Sequence, residues 1–279
     1  MEKYTTHIKA KTGWFDIDFK ELWQYRDLIL LFVKRNYSTR YKQTILGPLW
    51  LILKPLFTVG LYVFVFGNMA GMPMDGASPF AFYLCSNAIW SYFSLCITDT
   101  SQTFTANAGI MGKVYFPRLV MPISSVITGL IDLFIQLCML AVVIVYEIYI
   151  TDQVVLGMSI LLMPLVIFQA SLLGLGCGII VAACTTKYRD LAVVVTFGVQ
   201  LWMYASPVLY SGSGMFGNMY TVFMCNPMAP ILTVWRYSIL GTGELPLLFW
   251  GISWITTIIV LALGVILFSR IEKTFMDTV

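Results

Sequence analysis

LLFWGISWITTIIVLALGVILFSRIEK, running from Leu247 to Lys273, decides the fold. It carries no charge until Arg270 and then closes on Arg270, Glu272 and Lys273. A helix needs about 20 mostly apolar residues to cross a hydrocarbon layer roughly 30 Å thick, and Lys and Arg beside a crossing stay on the cytoplasmic side. The run therefore predicts a membrane span, Leu247 to Phe268, with a cytoplasmic tail over 270–279.

Working back through the chain, the same pattern predicts five earlier spans: Leu49 to Gly67, Phe80 to Thr103, Leu119 to Tyr146, Val155 to Cys184 and Leu191 to Tyr210. The second is the least apolar and holds Asn87, Asp99 and Gln102. Fifteen of the 17 Lys and Arg fall in four places: residues 1–48, Lys113 with Arg118, Lys187 with Arg189, and Arg270 with Lys273. Segments 68–79 and 147–153 hold acids and no base, and 211–246 holds one Arg and one Glu, so these are expected outside. The expectation is an all-α integral membrane protein: a cytoplasmic segment over 1–48, a six-span domain over 49–269, and both termini in the cytoplasm. At 59% hydrophobic and 11% charged, against about 25% charged in a soluble domain, no soluble class fits. A net charge of +3 is topological anchoring rather than a nucleic-acid footprint.

Before the first span, Asp18 and Glu21 read as an N-cap pair. Phe19, Leu22, Trp23, Ile29, Leu30 and Val33 then recur at helical spacing among Arg26, Asp27, Lys34 and Arg35. Such a helix lies in the membrane interface or packs on a soluble partner, and the two are compatible. Segment 211–246 is too apolar for a solvated loop and too interrupted by Gly and Pro for an ordinary span. It predicts short re-entrant or interfacial helices, with Pro207 bending or ending the fifth span before it.

Chemistry-bearing groups are few. The single histidine is His7, and the six cysteines (85, 96, 138, 177, 184, 225) form no C-x-x-C pair, five of them inside apolar runs where Cys packs as a small hydrophobe. No metal site is expected. Gly112-Lys113 is not a phosphate loop, because Asn107 and Val114 stand where Gly and Ser or Thr are required. Any ATP-driven function must borrow an ATPase. Gly174, Gly178 and Ala182, spaced by four, predict close helix packing within the bundle or at a dimer seam. Asp99 and Asp132 are costly inside spans. Asp99 is near enough to the cytoplasmic end to reach water, and Asp132 calls for a partner such as Lys54, a buried hydroxyl, or a transport role. Trp50, Tyr62, Trp90, Tyr92, Phe93, Trp202, Tyr204, Trp235, Trp250 and Trp254 cluster near span ends, as an interfacial belt or as a lining that stacks on sugar rings. Arg236 is the one basic residue that topology leaves unexplained.

Five motifs in register then carry a resemblance. YRDLILLFVKRNYSTRYKQTILGPLW (Tyr25 to Trp50), KVYFPRLVMP (Lys113 to Pro122), KYRDL (Lys187 to Leu191), SPVLY (Ser206 to Tyr210) and NPM (Asn226 to Met228) resemble the permeases of polysaccharide-export ABC transporters. The resemblance covers nearly the whole chain. It implies a homodimer in the bacterial inner membrane, joined to two cytoplasmic ATPase subunits that bind ATP and Mg, with no cofactor in this chain. The implied substrate is an undecaprenyl-linked glycan of O-antigen, capsular or teichoic acid type, moved through a channel on the dimer axis. By the same resemblance, Asn107 to Phe116 forms a coupling helix, and ATPase contact is expected at Asn107, Lys113, Tyr115, Phe116, Pro117, Arg118, Tyr188, Arg189 and Asp190. Arg26, Arg35, Arg40 and Lys42 are expected to receive the lipid phosphate, since guanidinium forks match phosphate oxygens, unless they are ordinary positive-inside anchors. Channel and gate roles fall to Trp90, Tyr92, Phe93, Trp202, Tyr204, Pro207, Asn226, Pro227, Trp235 and Arg236. The rivals are a type-2 exporter of drugs or lipids, and a membrane glycosyl- or acyltransferase, which lacks here the polar catalytic cluster it would need.

Overall fold

The computed structural model describes residues 19–42, 44–111, 113–150, 157–185, 190–211 and 220–278. All regular structure among them is helical. A short helix α1 (Phe19–Gln24) and α2 (Arg26–Tyr41) precede α3 (Trp50–Tyr62), which a 3₁₀ turn (Gly47–Leu49) leads into and a π-helical segment (Val63–Met69) extends. Then come α4 (Pro79–Ser101), α5 (Thr103–Met111), α6 (Val120–Ile150) and α7 (Met163–Thr185), the last preceded by a 3₁₀ turn (Met158–Leu162). The chain ends with α8 (Leu191–Tyr204), α9 (Tyr220–Met224), α10 (Met228–Leu240) and α11 (Leu247–Thr278).

Five helices are long and apolar enough to cross a membrane: Gly47–Met69, Pro79–Ser101, Val120–Tyr149, Met158–Thr185 and Leu247–Ser269. Where a fifth span over 191–210 is expected, α8 runs for 14 residues and stops at Tyr204, a rise of about 21 Å at 1.5 Å per residue. Pro207 disfavours helical backbone at Ser206, and turns replace helix from Ala205 onward. In the expected outer segment, α9 and α10 are the helices among the described residues. The proposed cap at Asp18 lies outside the described residues.

Polarity orders the bundle. α4 has the lowest mean hydropathy of the five candidate spans, 1.3, and is 78% buried, whereas the first and last candidates, at 2.0 and 2.4, are 17% and 22% buried. Lipid receives the apolar helices and protein receives the one with polar atoms, as a medium without hydrogen-bonding capacity requires. Ser78 caps α4 by accepting from Ala81 N at 3.3 Å, with Pro79 in the first turn where a missing N–H costs nothing. α4 packs against α3, α6, α7, α8 and α10.

The small residues of α7 permit the closest of these contacts. A Cβ built on Gly174 would lie 2.6 Å from Cys96 Cβ, and one on Gly178 would lie 2.5 Å from Thr100 Cβ, both on α4. On its other side, a Cβ on Gly176 would lie 2.9 Å from the backbone of Leu261 in α11. The Gly174/Gly178/Ala182 stripe thus serves packing inside the bundle.

A second apolar cluster sits where α2, α5, α6, α7 and α11 meet, and contains Phe32, Phe104, Met111, Phe116, Val120, Met121, Ile179, Ala182 and Phe268. α2 buries Phe32 there, buries Val33 as well, and leaves Leu30 and Leu31 exposed, as is Trp23 in α1. α2 thus has apolar side chains both packed on the protein and facing outward.

Gly178→Ala is expected to destabilise the protein by about 1–3 kcal/mol through overpacking against Thr100. Gly198→Ala on α8 has nothing within 4 Å of the new methyl group and is expected to be neutral or slightly stabilising. Thermal unfolding of the two variants in detergent checks the contrast.

Candidate functional site

α2 ends by delivering Arg40 and Tyr41 to two acidic side chains on different spans. Arg40 Nη1 donates to Asp132 Oδ2 on α6 at 2.8 Å, and Nη2 donates to Asp99 Oδ2 on α4. Tyr41 Oη donates to Asp132 Oδ1 at 3.3 Å. The side chains are 27% exposed for Arg40, 29% for Asp99 and 14% for Asp132, so the cluster is largely withdrawn from water. Burial works against the charge on Arg40, but the two carboxylates outweigh it and raise its pKa. Burial first, and Asp132 second, push Tyr41 up to about 12, so it stays a neutral donor at physiological pH.

The cluster forms one wall of a cavity of about 560 Å³. α3 contributes Trp50, Lys54 and Tyr62; α4 contributes Asn87, Trp90, Ser91, Tyr92, Ser94 and Asp99; α6 contributes Asp132 and Gln136; α8 contributes Gln200 and Met203. Asn87 Nδ2 donates to Gln136 Oε1 at 3.3 Å. Aromatic faces beside amides and hydroxyls suit a ligand with apolar ring faces and a polar rim.

The residues expected to receive a lipid phosphate do not converge. Arg26 is exposed, 3.9 Å from Asp27 and over the Trp23 ring at 5.8 Å, and Lys42 is also exposed. Arg35 donates to Asn107 Oδ1 at 2.6 Å and covers the Phe32 ring at 4.7 Å, and burial lowers its pKa. Arg40 alone reaches the cavity, already held by two carboxylates. Asp132 does have the partner its depth demands, and that partner is Arg40.

In the expected coupling segment, α5 ends at Met111 and the chain continues as turns to Pro117. Asn107 is tied to α2 through Arg35. Lys113, Val114 and Tyr115 are exposed, whereas Phe116 turns inward, 5% exposed, with its ring 5.8 Å from Phe32. Pro117 and Arg118 are half-buried at the approach to α6. Tyr188 and Arg189 lie outside the described residues, and Asp190 is exposed just before α8.

Of the expected channel and gate residues, Trp90 and Tyr92 line the cavity. Most of the others form the scaffold beneath the turn after α8. Asn226 Nδ2 donates to Ala205 O and Ser206 Oγ, both at 2.9 Å, and its Oδ1 accepts from Trp202 Nε1 at 2.9 Å. Phe93 packs edge-on against Trp202 at 5.3 Å. Arg236, 3% exposed, donates to Pro207 O and to Ser86 Oγ at 3.3 Å, with its guanidinium 4.7 Å over Phe82. Trp235 donates to Cys85 O at 2.9 Å, and Pro227 O accepts from Ser253. Tyr204 is 57% exposed, and its carbonyl accepts from Tyr210 Oη. Gln136 and Gln200 are cavity residues that the sequence reading does not single out. Their signal is an amide inside an apolar run.

Arg40→Met removes the only cation within hydrogen-bonding distance of both carboxylates and is expected to cost about 2–4 kcal/mol. Adding Asp99→Asn and Asp132→Asn to that variant is expected to restore most of the loss. Thermal unfolding in detergent is the measurement, and a triple variant no more stable than Arg40→Met contradicts the account.

Comparison with known proteins gives a consistent result. The chain is 27% identical over 256 residues to the O-antigen export system permease protein RfbA of Klebsiella pneumoniae, covering 90% of this chain and 94% of that one. It is 29% identical over 221 residues to the RfbA permease protein of Myxococcus xanthus, covering 78% of this chain and 82% of that one. Residues 27–240 match the ABC-2 type transporter family, from the start of α2 to the end of α10. The chain belongs to the ABC-2 type transporter family.

Proposed function

We propose that the chain is the membrane permease of an ATP-driven polysaccharide exporter. In this reading it carries a lipid-linked, O-antigen-type glycan from the cytoplasmic to the outer face of the bacterial inner membrane. The observation that carries the proposal is the near end-to-end similarity to O-antigen export permeases, 90% of this chain against 94% of theirs. The polar and aromatic cavity supports it, because it suits sugar rings rather than a purely apolar drug. Capsular polysaccharide and teichoic acid are the neighbouring substrate classes.

The finer arrangement belongs to the same proposal. α8 and the turn after it act as a sixth crossing, α9 and α10 sit at the outer mouth, and both termini are cytoplasmic. Two copies pair around a channel and engage two ATPase subunits, which bind ATP and Mg. The exposed Lys113–Tyr115 turn docks on the ATPase. Its displacement reaches α2 through Phe116 against Phe32 and Asn107 against Arg35, and α2 carries it to Arg40, about 12 Å along the helix at 1.5 Å per residue.

Depleting the chain in its host is expected to make a lipid-linked glycan accumulate on the cytoplasmic side, detected by glycan analysis of extracted lipids. If no glycan accumulates, the export reading fails. Lys113→Glu with Tyr115→Ala is expected to lower export at least tenfold while the purified permease keeps its thermal stability. Phe116→Ala is expected instead to cost about 3–5 kcal/mol of stability, as a buried aromatic does.

A further inference from the structure

Lys54 is a cation inside a candidate span, and none of the five family motifs contains it. It lies seven residues into the first candidate span, which begins at Gly47, a depth of about 10 Å along the helix. An ammonium at that depth is costly and is found where it faces protein or a wet cavity. Lys54 lines the 560 Å³ cavity and is exposed to it. The salt bridges among the described residues commit Arg40 to Asp99 and Asp132, whereas Lys54 is in none of them and acts on Asp132 only at longer range. Trp50, one turn earlier on the same helix and 46% exposed, stands at the rim. The same cavity is lined by Trp90 and the Asn87–Gln136 amide pair.

We infer that Lys54 is the anion-binding residue of a sugar-phosphate subsite in this cavity. The inference rests on the export reading and deepens it: the ligand is a phosphate or diphosphate ester attached to a sugar. Lys54 supplies a compact, mobile charge with three donors for phosphate oxygens. The aromatic rings and the amides take the sugar. Arg40 lines the same cavity but is already neutralised. Its two carboxylates already satisfy its fork, and their charge keeps a phosphate from settling on that side. Lys54, not the basic residues of α2, then distinguishes a charged glycan lipid from a neutral one.

A rival account makes Lys54 the fourth charge of a neutral set, balancing two carboxylates against two cations. Fluorescence titration separates the two, read from tryptophan quenching of the permease–ATPase complex in nanodiscs. Three probes are used: a short-chain prenyl diphosphate disaccharide, the neutral alkyl glycoside of the same disaccharide, and the disaccharide 1-phosphate without lipid. The wild-type protein is expected to bind the diphosphate probe at least tenfold more tightly than the neutral one. Lys54→Gln is expected to abolish that preference, and Lys54→Arg to retain most of it. The lipid-free phosphate identifies the source of the recognised group. A Lys54-dependent affinity equal to that of the prenyl probe places the group on the sugar, and weaker Lys54-dependent binding places it in the lipid headgroup. If Lys54→Gln lowers the unfolding temperature, Asp132→Asn is added. Recovery of stability without recovery of the preference supports the subsite, whereas recovery of both overturns it in favour of charge balance. Equal wild-type affinity for the charged and neutral probes overturns the Lys54 assignment and leaves the export reading standing. Failure of every probe to bind overturns both.

Discussion

A polar group inside a hydrocarbon layer has no water to turn to, so it must find its partner within the protein. That constraint arranges this molecule. α4 carries Ser86, Asn87 and Asp99 through the fold, each with a partner on another helix, and it is the candidate span that protein covers most. The more apolar helices α3 and α11 need no such cover and stand at the periphery. The burial order is the reverse of a soluble bundle, where the most apolar helix would be innermost. Close approach of α7 to α4 follows from the same need. Glycines at 174 and 178 let the backbones meet, and with the two helices in register Thr185 Oγ1 donates to Ser101 O at 2.8 Å.

The same rule explains why α2 docks where it does. Asp99 and Asp132 sit on two different spans, and each alone would be an unsatisfied charge at membrane depth. Arg40 answers both with one planar group, because a guanidinium presents donors along separate edges. α2, which also buries Phe32 and Val33, is thereby tied at its end to α4 and α6. Its other attachments, Arg35 to Asn107 and Phe32 to Phe116, are to the segment that leads from α4 into α6. α2 therefore connects the turn between α5 and α6 to the wall of the cavity as one helix.

Much of this was legible in the residues. Apolar run length located the five long helices to within a few residues, since the bilayer imposes one dimension on all of them. The small-residue stripe of α7 and the break at Pro207 were legible for equally local reasons. Partnerships were not. Nothing local in the sequence indicates that Arg40 faces Asp99, fifty-nine positions away, and Asp132, ninety-two away. The four basic residues expected to receive a lipid phosphate look equivalent as charges, yet Arg35 and Arg40 are bound to separate partners and Arg26 and Lys42 face outward. Phe116 reads as a surface aromatic in a basic loop, because burial depends on α2 folding back over it. Arg236 reads as an anomaly until the turn after α8 presents Pro207 O, a carbonyl beyond the end of the helix, while the Ser211 N–H that a continued helix would offer it donates to Pro73 O instead.

The two ends of the fold solve the same problem with different bonds, and this bears on where movement is cheap. At the turn after α8, Arg236 holds Pro207 O and Ser86 Oγ in a site shut off from water, while Asn226 holds Ala205 O and Ser206 Oγ nearer the surface. Opening that turn would leave a buried guanidinium and the Pro207 carbonyl without partners, a cost of several kcal/mol in a site that water does not reach. At the inner cluster the partners are ionic, but the side chains keep 14–29% of their exposure and border a cavity. Water or a ligand's own polar groups can replace a contact there as it breaks, which lowers the cost of rearrangement. The turn after α8 is therefore the fixed end of the fold and the Arg40 cluster the adjustable one. Under the proposed coupling, a push delivered through α2 would arrive at the end that can yield.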